Sequence, residues 1–221
     1  MDNAHIDRKE KTKRIVGYIL LFFLAWSARV LIFLVFDRLL PTKELRSIST
    51  NVFRLLVWVV PVFLYLYYVD KVSPLNYLKL TTNLKTGSLV SIGLLVVGVI
   101  WQMILLHFGA DQIGNKIEFW GLLNAVIVPP ITEEILMRGF ILNKFREVTS
   151  FWRANVIAAL LFVMIHWPGW ILINHHDIGL MVRMSSGIFV MSILLGYILK
   201  KTNSLWPCMA YHGINNFISF S

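Results

Sequence analysis

A small set of polar side chains stands inside long apolar stretches of this sequence. They occur in PPITEEILMRGF (Glu133, Glu134, Arg138), in ALLFVMIHW (His166) and in AYHGINNF (His212, Asn216). An ionisable residue inside a membrane is energetically expensive and by default marks a functional site. A carboxylate with a histidine can deprotonate water, and a second histidine with an amide can donate hydrogen bonds to an oxyanion. These residue types therefore suit peptide-bond hydrolysis.

The spacing within each stretch predicts which of these side chains act together. Residues four apart on a helix share a face, so Glu134 and Arg138 can form an ion pair. Glu133 lies about 100° away around the helix and is predicted to face another partner. His212 and Asn216 are also four apart and are predicted to project together.

Two further features surround these residues in the sequence. Phe162 stands four residues before His166, which predicts an aromatic side chain beside the imidazole. Pro129 and Pro130 interrupt a helix just before Glu133. Such a break frees backbone carbonyls and is tolerated where a helix lines a cavity.

The elements that carry these residues must be membrane helices. The 221-residue chain is 57% hydrophobic and 15% charged, whereas a soluble domain has about 25% charged residues. A membrane span needs about 20 mostly apolar residues. We expect an all-α, polytopic transmembrane bundle of about seven to eight helices. The predicted spans are 15–36, 52–69, 88–107, 119–141, 154–170, 184–199 and 204–220.

The position of each candidate site residue relative to the nearest basic residue at the end of its span predicts that these residues share one site. Glu133, His166 and His212 each lie about 11–13 residues from a flanking lysine or arginine that we place on the cytoplasmic side. At 1.5 Å per residue, this puts all three at a depth of roughly 16–20 Å. We therefore expect them to meet in one layer of the bundle.

The charge distribution predicts orientation rather than a nucleic-acid partner. The net charge is +9, and an excess of Lys and Arg is typical of the cytoplasmic loops of membrane proteins. Residues 1–14 are predicted to be a basic cytoplasmic segment, and residues 15–221 a single membrane-embedded domain in contact with the lipid bilayer. The single cysteine, Cys208, excludes an internal disulfide and a cysteine-based zinc cluster.

Other polar residues within the spans are assigned structural roles. Arg29 and Arg54 are predicted to pair with acidic groups or to reach toward lipid headgroups. Asn124 and Gln102 are predicted to hydrogen-bond between helices.

A metal site stays open as an alternative. Glu133, His166 and His212 are residue types that zinc accepts as ligands. The HExxH motif of the common zinc proteases is absent. The residues by themselves do not require a cofactor, and a divalent metal such as zinc stays open.

Three motifs together resemble one known family. EEILMR (Glu133–Arg138) is similar to EExxxR, FVMIH (Phe162–His166) to FxxxH, and HGINN (His212–Asn216) to HxxxN. These are motifs of the CPBP family of intramembrane proteases, which groups type II CAAX prenyl endopeptidases with Abi and bacteriocin-processing relatives. The resemblance covers about residues 119–220, the expected protease-like core.

The resemblance implies a role for each matched residue. It implies that Glu133 and His166 activate water and that His212 and Asn216 stabilise the oxyanion. It implies that Glu134 and Arg138 support the site. The mechanism expected is a metal-free glutamate–histidine one.

The resemblance also implies a substrate class and a cellular setting. The compact chain suggests a prokaryotic member in the cell membrane, acting on a peptide or a membrane protein. Maturation of a peptide or bacteriocin, or self-immunity, would fit. Two other classes stay open, namely a non-enzymatic scaffold or immunity protein and a small proton-coupled transporter. The sequence shows no internal repeat of the kind common in transporters.

Overall fold

The chain is built from helices. The structure is a computed structural model that describes residues 2–36, 39–108 and 118–220. The described residues are 85% helical and contain no strand, which confirms the predicted all-α class. The helices in this part of the chain are α1 (Asp2–Phe36), α2 (Lys43–Val69), α3 (Pro74–Tyr77), α4 (Leu84–His107), α5 (119–146), α6 (Phe151–Leu172), α7 (Ile178–Thr202) and α8 (Trp206–Phe220).

Several of these helices are long and apolar enough to cross a bilayer. Within the described ranges there are five such stretches, namely Arg8–Ile32, Lys43–Val69, Leu84–Leu105, Phe151–Leu172 and Ile178–Thr202. They correspond to five of the seven predicted spans and identify a multi-pass integral membrane protein. The predicted spans 119–141 and 204–220 fall on α5 and α8. Those two helices are not among the five, so their crossing of the membrane stays a prediction.

The chain divides into two compact units, each made from two separate parts of the sequence. The first contains Met1–Arg46 and Phe140–Gly196, and the second contains Ser47–Gly139 and Tyr197–Ser221. The assignment of residues 15–221 to one membrane-embedded domain stays a prediction.

In the first unit, buried polar contacts join α6 to its neighbours. The indole Nε1 of Trp26 on α1 donates to the carbonyl of Ile165 at 2.9 Å. The amide of Asn155, which is 1% exposed, donates to the carbonyl of Ile193 on α7 at 3.0 Å. A Cβ at Gly196 would overlap the Asn155 side chain. Glycine is therefore required there for α6 and α7 to approach closely.

A turn within α6 determines the position of His166. The helix Phe151–Met164 ends in a turn, and a second segment, Trp167–Leu172, begins directly after His166. Pro168 lies in the first turn of that segment, where its missing N–H breaks no helical hydrogen bond. His166 is consequently the N-cap residue of this second segment.

In the second unit, α8 packs along α4 and also contacts α5. Two glycines on α4 permit the close approach. A Cβ on Gly87 would overlap Ser204, and one on Gly98 would overlap Ile214. Small residues allow helix backbones to come together in this way where apolar side chains alone give little drive for association.

A polar cluster connects α2 to α5. The side-chain oxygen of Asn124 accepts from the hydroxyl of Ser47 at 2.8 Å and from the amide of Asn51 at 2.7 Å. This confirms the interhelical hydrogen bonding predicted for Asn124. The same prediction for Gln102, which is buried on α4, stays a prediction.

Both α2 and α5 contain π-helical turns next to prolines. The π-helical segments are Leu55–Val59 and Tyr65–Val69 in α2, and Leu122–Ile127 and Ile135–Leu142 in α5. Pro61 comes shortly after Leu55–Val59, and Pro129 and Pro130 come shortly after Leu122–Ile127. Prolines remove backbone donors, and π-helical turns are frequent at functional sites because they alter which side chains face a given direction.

Candidate active site

A buried ion pair on α5 lies at the bottom of the site. Glu134 ends an α-helical segment and Arg138 lies in the π-helical turn that follows. Arg138 Nη1 lies 3.1 Å from Glu134 Oε1, and the two side chains are 1% and 0% exposed. The predicted pairing of these residues is confirmed. A charge buried in this way requires a partner, because an isolated one would lose its hydration without compensation.

His212 on α8 attaches to the same carboxylate. Its Nδ1 lies 2.8 Å from Glu134 Oε1, and the residue is 3% exposed. A carboxylate paired with arginine can only accept hydrogen bonds, so His212 Nδ1 carries the proton and donates it. Glu134 therefore holds the imidazole in one orientation and turns Nε2 away from itself.

Glu133 contacts different partners from those of Glu134. Its Oε1 lies 2.5 Å from Arg54 Nη1 on α2. Its Oε2 lies 3.8 Å from His212 Nε2. The predicted separation of Glu133 from the Glu134–Arg138 pair is confirmed, and α2 supplies an ion-pair partner.

Arg54 is the functional candidate that the motif analysis did not identify. Sequence analysis gave it a pairing or headgroup role without a partner. A signal was present, because Arg54 is a lone charge at the start of the apolar run FRLLVWVV. Its guanidinium carbon lies 5.2 Å from the ring centroid of Trp58, one helical turn further along.

Asn216 on α8 compensates for the proline break in α5. Its amide Nδ2 donates to the carbonyl of Ala125 at 2.8 Å. In an α-helix that carbonyl would accept from residue 129, and in a π-helix from residue 130. Both positions are prolines without an N–H, so Asn216 supplies the donor that α5 lacks. The carbonyl predicted to be freed by Pro129 and Pro130 is thus identified.

Gly213 makes this contact between α5 and α8 possible. A Cβ at residue 213 would lie 3.0 Å from the carbonyl oxygen of Val126. That distance is tighter than ordinary van der Waals contact. Gly213 thereby lets α8 approach the backbone of α5 closely enough for Asn216 to reach Ala125.

His212 and Asn216 lie on one side of α8 but have different partners. His212 contacts the two glutamates, while one N–H of the Asn216 amide is bound to a backbone carbonyl. An amide has two N–H donors. Their joint donation to an oxyanion stays a prediction, with the second N–H of Asn216 as the group concerned.

His166 lies in the first unit among aromatic rings. Its Nδ1 is 2.8 Å from the carbonyl oxygen of Phe162, and the two rings meet edge to face at 5.2 Å. The ring of Trp170, four residues after His166, lies 5.5 Å from the imidazole, measured between ring centroids. The predicted aromatic neighbour is confirmed. Because a carbonyl can only accept, Nδ1 donates, and Nε2 of the neutral imidazole is the acceptor. The common layer predicted for His166, Glu133 and His212 stays a prediction.

The surroundings of Glu133 do not favour a bound zinc ion. Among the described residues, no three His, Cys, Asp or Glu side chains are grouped as metal ligands. In addition, Arg54 contacts Glu133, the carboxylate among the three candidate ligands, and places a positive charge where a cation would have to bind. No step of the chemistry below passes through a metal.

These features define an integral membrane protein with a buried carboxylate–histidine site suited to acid–base chemistry. Residues 115–218 match the family described as type II CAAX prenyl endopeptidase Rce1-like. The predicted resemblance is thereby confirmed over almost the predicted range, and the match supports an intramembrane endopeptidase. No curated protein and no solved structure matches the chain significantly.

Because Arg138 and His212 both contact Glu134 Oε1, we expect the stability of the protein to depend on the charge balance of this cluster. Arg138→Met should lower the free energy of unfolding by about 3–5 kcal/mol, because it leaves a buried carboxylate without its cation. Thermal and denaturant unfolding in one detergent would measure this. The double variant Glu134→Gln, Arg138→Met should recover much of the loss, since no uncompensated charge remains. Equal stability of the single and double variants would contradict this account of the pair.

Proposed function

We propose that this protein is an intramembrane endopeptidase that hydrolyses a peptide bond with water activated by Glu133. The observation that carries the proposal is the engagement of Glu133 between Arg54 and His212. Its two oxygens have different neighbours, at 2.5 Å and 3.8 Å. Glu133 and His212 both lie in the segment that matches a protease family.

The proposed reaction uses Glu133 as a general base and then as a general acid. Its carboxylate takes a proton from water while the water oxygen forms a bond to the substrate carbonyl carbon. The resulting tetrahedral intermediate carries a negative oxygen. When the C–N bond breaks, the same proton passes from Glu133 to the leaving nitrogen. The products are a carboxylic acid and an amine, and proton transfer between them gives a carboxylate and an ammonium group.

His212 is proposed to stabilise the oxyanion. Glu134 holds its Nδ1 at 2.8 Å, and in the imidazolium form Nε2 is also a hydrogen-bond donor. Donors fixed in advance stabilise a developing charge without reorganisation. The second N–H of Asn216 is proposed to assist. The part of His166 in activating water is proposed from its motif alone.

The mechanism is proposed to need no metal. Arg54 and Arg138 already neutralise the two carboxylates. Water activation then depends on the basicity of Glu133 in an apolar setting. This supports the glutamate mechanism over the metallopeptidase one.

The substrate is proposed to be a peptide or a membrane protein. The family match supports a peptide substrate reached within a bilayer. A prokaryotic cell membrane, and a role in maturing a peptide or bacteriocin or in self-immunity, are proposed from the family resemblance. The N-terminus is proposed to be cytoplasmic because the chain has five basic residues before the predicted first span, 15–36, namely Arg8, Lys9, Lys11, Lys13 and Arg14.

The central prediction concerns Glu133→Gln. This variant should fold and insert normally, because the amide oxygen can still accept from Arg54. Hydrolysis should fall by at least about 10²–10⁴-fold, the usual contribution of a general base. The measurement is cleavage of a library of fluorescence-quenched decapeptides by purified protein in lipid nanodiscs. Glu10→Gln, which changes an exposed glutamate, is the matched control. Turnover by Glu133→Gln equal to that of the control would remove Glu133 from the catalytic role.

A separate prediction tests the metal-free mechanism. Protein treated with a chelator and shown by mass spectrometry to contain less than stoichiometric zinc should cleave the same peptides at the untreated rate. Activity that disappears with the metal and returns when zinc is restored would show a metallopeptidase instead.

The proposed orientation predicts a pattern of cysteine labelling. After replacement of the buried Cys208 by alanine, a cysteine at Ser73 should react only with a membrane-permeant reagent applied to cells. A cysteine at Gly114, which lies outside the described residues, should react with an impermeant reagent. The reverse pattern would place the N-terminus outside the cell.

A further inference from the structure

Arg54 contacts Glu133 although it belongs to none of the three motifs. It also lies outside residues 115–218, the segment that matches the protease family. The ion pair therefore joins the matched segment to a helix that the match does not include. Its 2.5 Å separation is that of a close charge-assisted contact.

The guanidinium of Arg54 lies against a buried aromatic ring of its own helix. The side chain is 15% exposed and lies over the ring of Trp58, which is 0% exposed. A π-helical turn, Leu55–Val59, begins directly after Arg54 and packs on the α5 segment that contains Glu133. Stacking on an aromatic ring limits the rotamers available to the arginine. Its position is thus determined before any substrate binds.

The contact determines how the carboxylate of Glu133 is turned. With Oε1 held by Arg54, Oε2 points toward Nε2 of His212, at 3.8 Å. If Arg54 were absent, the side-chain torsions of Glu133 would no longer be restrained by a charged partner from α2. A base that is misplaced by about 1 Å can cost about 10²-fold in rate.

We propose that Arg54 is a positioning residue that holds Glu133 Oε1 so that Oε2 is the oxygen that accepts the proton from water. The inference rests on the proposed function, because it assigns the geometry of the base in that reaction. Arg54 acts through Glu133 and makes no contact with the substrate. Its loss should therefore lower kcat and leave KM unchanged.

The same contact could serve folding alone, and the two roles predict different results. An arginine that only stabilises the fold would affect activity through the fraction of folded protein. A positioning arginine affects the rate per folded molecule. It also distinguishes lysine from arginine, because lysine keeps the charge but lacks the planar guanidinium.

The test compares Arg54→Gln and Arg54→Lys with wild-type protein in lipid nanodiscs, using the decapeptide that the wild type cleaves fastest. Lys85→Gln, which removes an exposed cation from the same unit, is the matched control. We expect kcat per folded molecule to fall about 10²-fold in Arg54→Gln, less in Arg54→Lys and not at all in Lys85→Gln. KM should be unchanged in all three.

Thermal unfolding gives a second measurement that does not depend on turnover. Arg54→Gln should lower Tm in the wild-type background, where it removes the arginine partner of the Glu133 carboxylate. It should lower Tm by less in the Glu133→Gln background, where no charge is left behind. Equal shifts in both backgrounds would show that Arg54 does not act through Glu133.

The outcomes separate this inference from the proposed function. Wild-type kcat per folded molecule in Arg54→Gln overturns the positioning role and leaves the endopeptidase proposal standing. If Arg54→Gln does not fold, Arg54→Lys decides: a lowered kcat supports the role, and a wild-type kcat overturns it. A wild-type protein that cleaves no peptide of the library overturns the proposed function, and the positioning role with it.

Discussion

The arrangement of the site depends on one oxygen, Oε1 of Glu134, which contacts both Arg138 and His212. Burying a carboxylate in an apolar interior is unfavourable unless a counter-charge and hydrogen bonds replace its hydration. Arg138 supplies the charge from the same helix, and His212 supplies a donor from α8. Because the carboxylate is completely buried, neither partner can be exchanged for water. The orientation of the imidazole therefore follows from the requirement to satisfy Glu134.

A second constraint comes from the prolines of α5. Pro129 and Pro130 deprive the carbonyl of Ala125 of a donor in either helical hydrogen-bonding pattern, and Asn216 restores one. Gly213 allows the approach that this bond requires. The same helix α8 thus carries both the residue that donates to Glu134 Oε1 and the residue that supplies the missing donor at the proline break. Backbone satisfaction and site geometry are therefore coupled through a single helix–helix contact.

The two adjacent glutamates differ because their surroundings differ. Glu134 is held from two directions and is inaccessible, as suits a residue that orients others. Glu133 is bound at one oxygen by Arg54, while its second oxygen faces the outer nitrogen of His212. The structure thereby gives a physical basis for separating a proposed base from its support. Two carboxylates facing two guanidinium groups also keep the cluster electrically balanced, which limits the cost of placing four charges in an apolar region.

The sequence by itself determined the features that follow from local rules. Apolar stretches of sufficient length predicted membrane helices, and the four-residue spacing predicted the Glu134–Arg138 pair and the aromatic ring beside His166. Asn124 was recognisable as a polar group between helices, and the three motifs predicted the family over almost the matched range.

Contacts between distant parts of the chain could not be derived in this way. Helical periodicity states which side of α2 carries Arg54, but not which side of α5 it meets. The partners of Glu133 and Ala125 follow from packing: Trp58 orients the guanidinium of Arg54, and Gly213 sets the distance at which Asn216 reaches α5. Only the tertiary structure decided these pairings, because each depends on residues separated by about 80–90 positions in the chain.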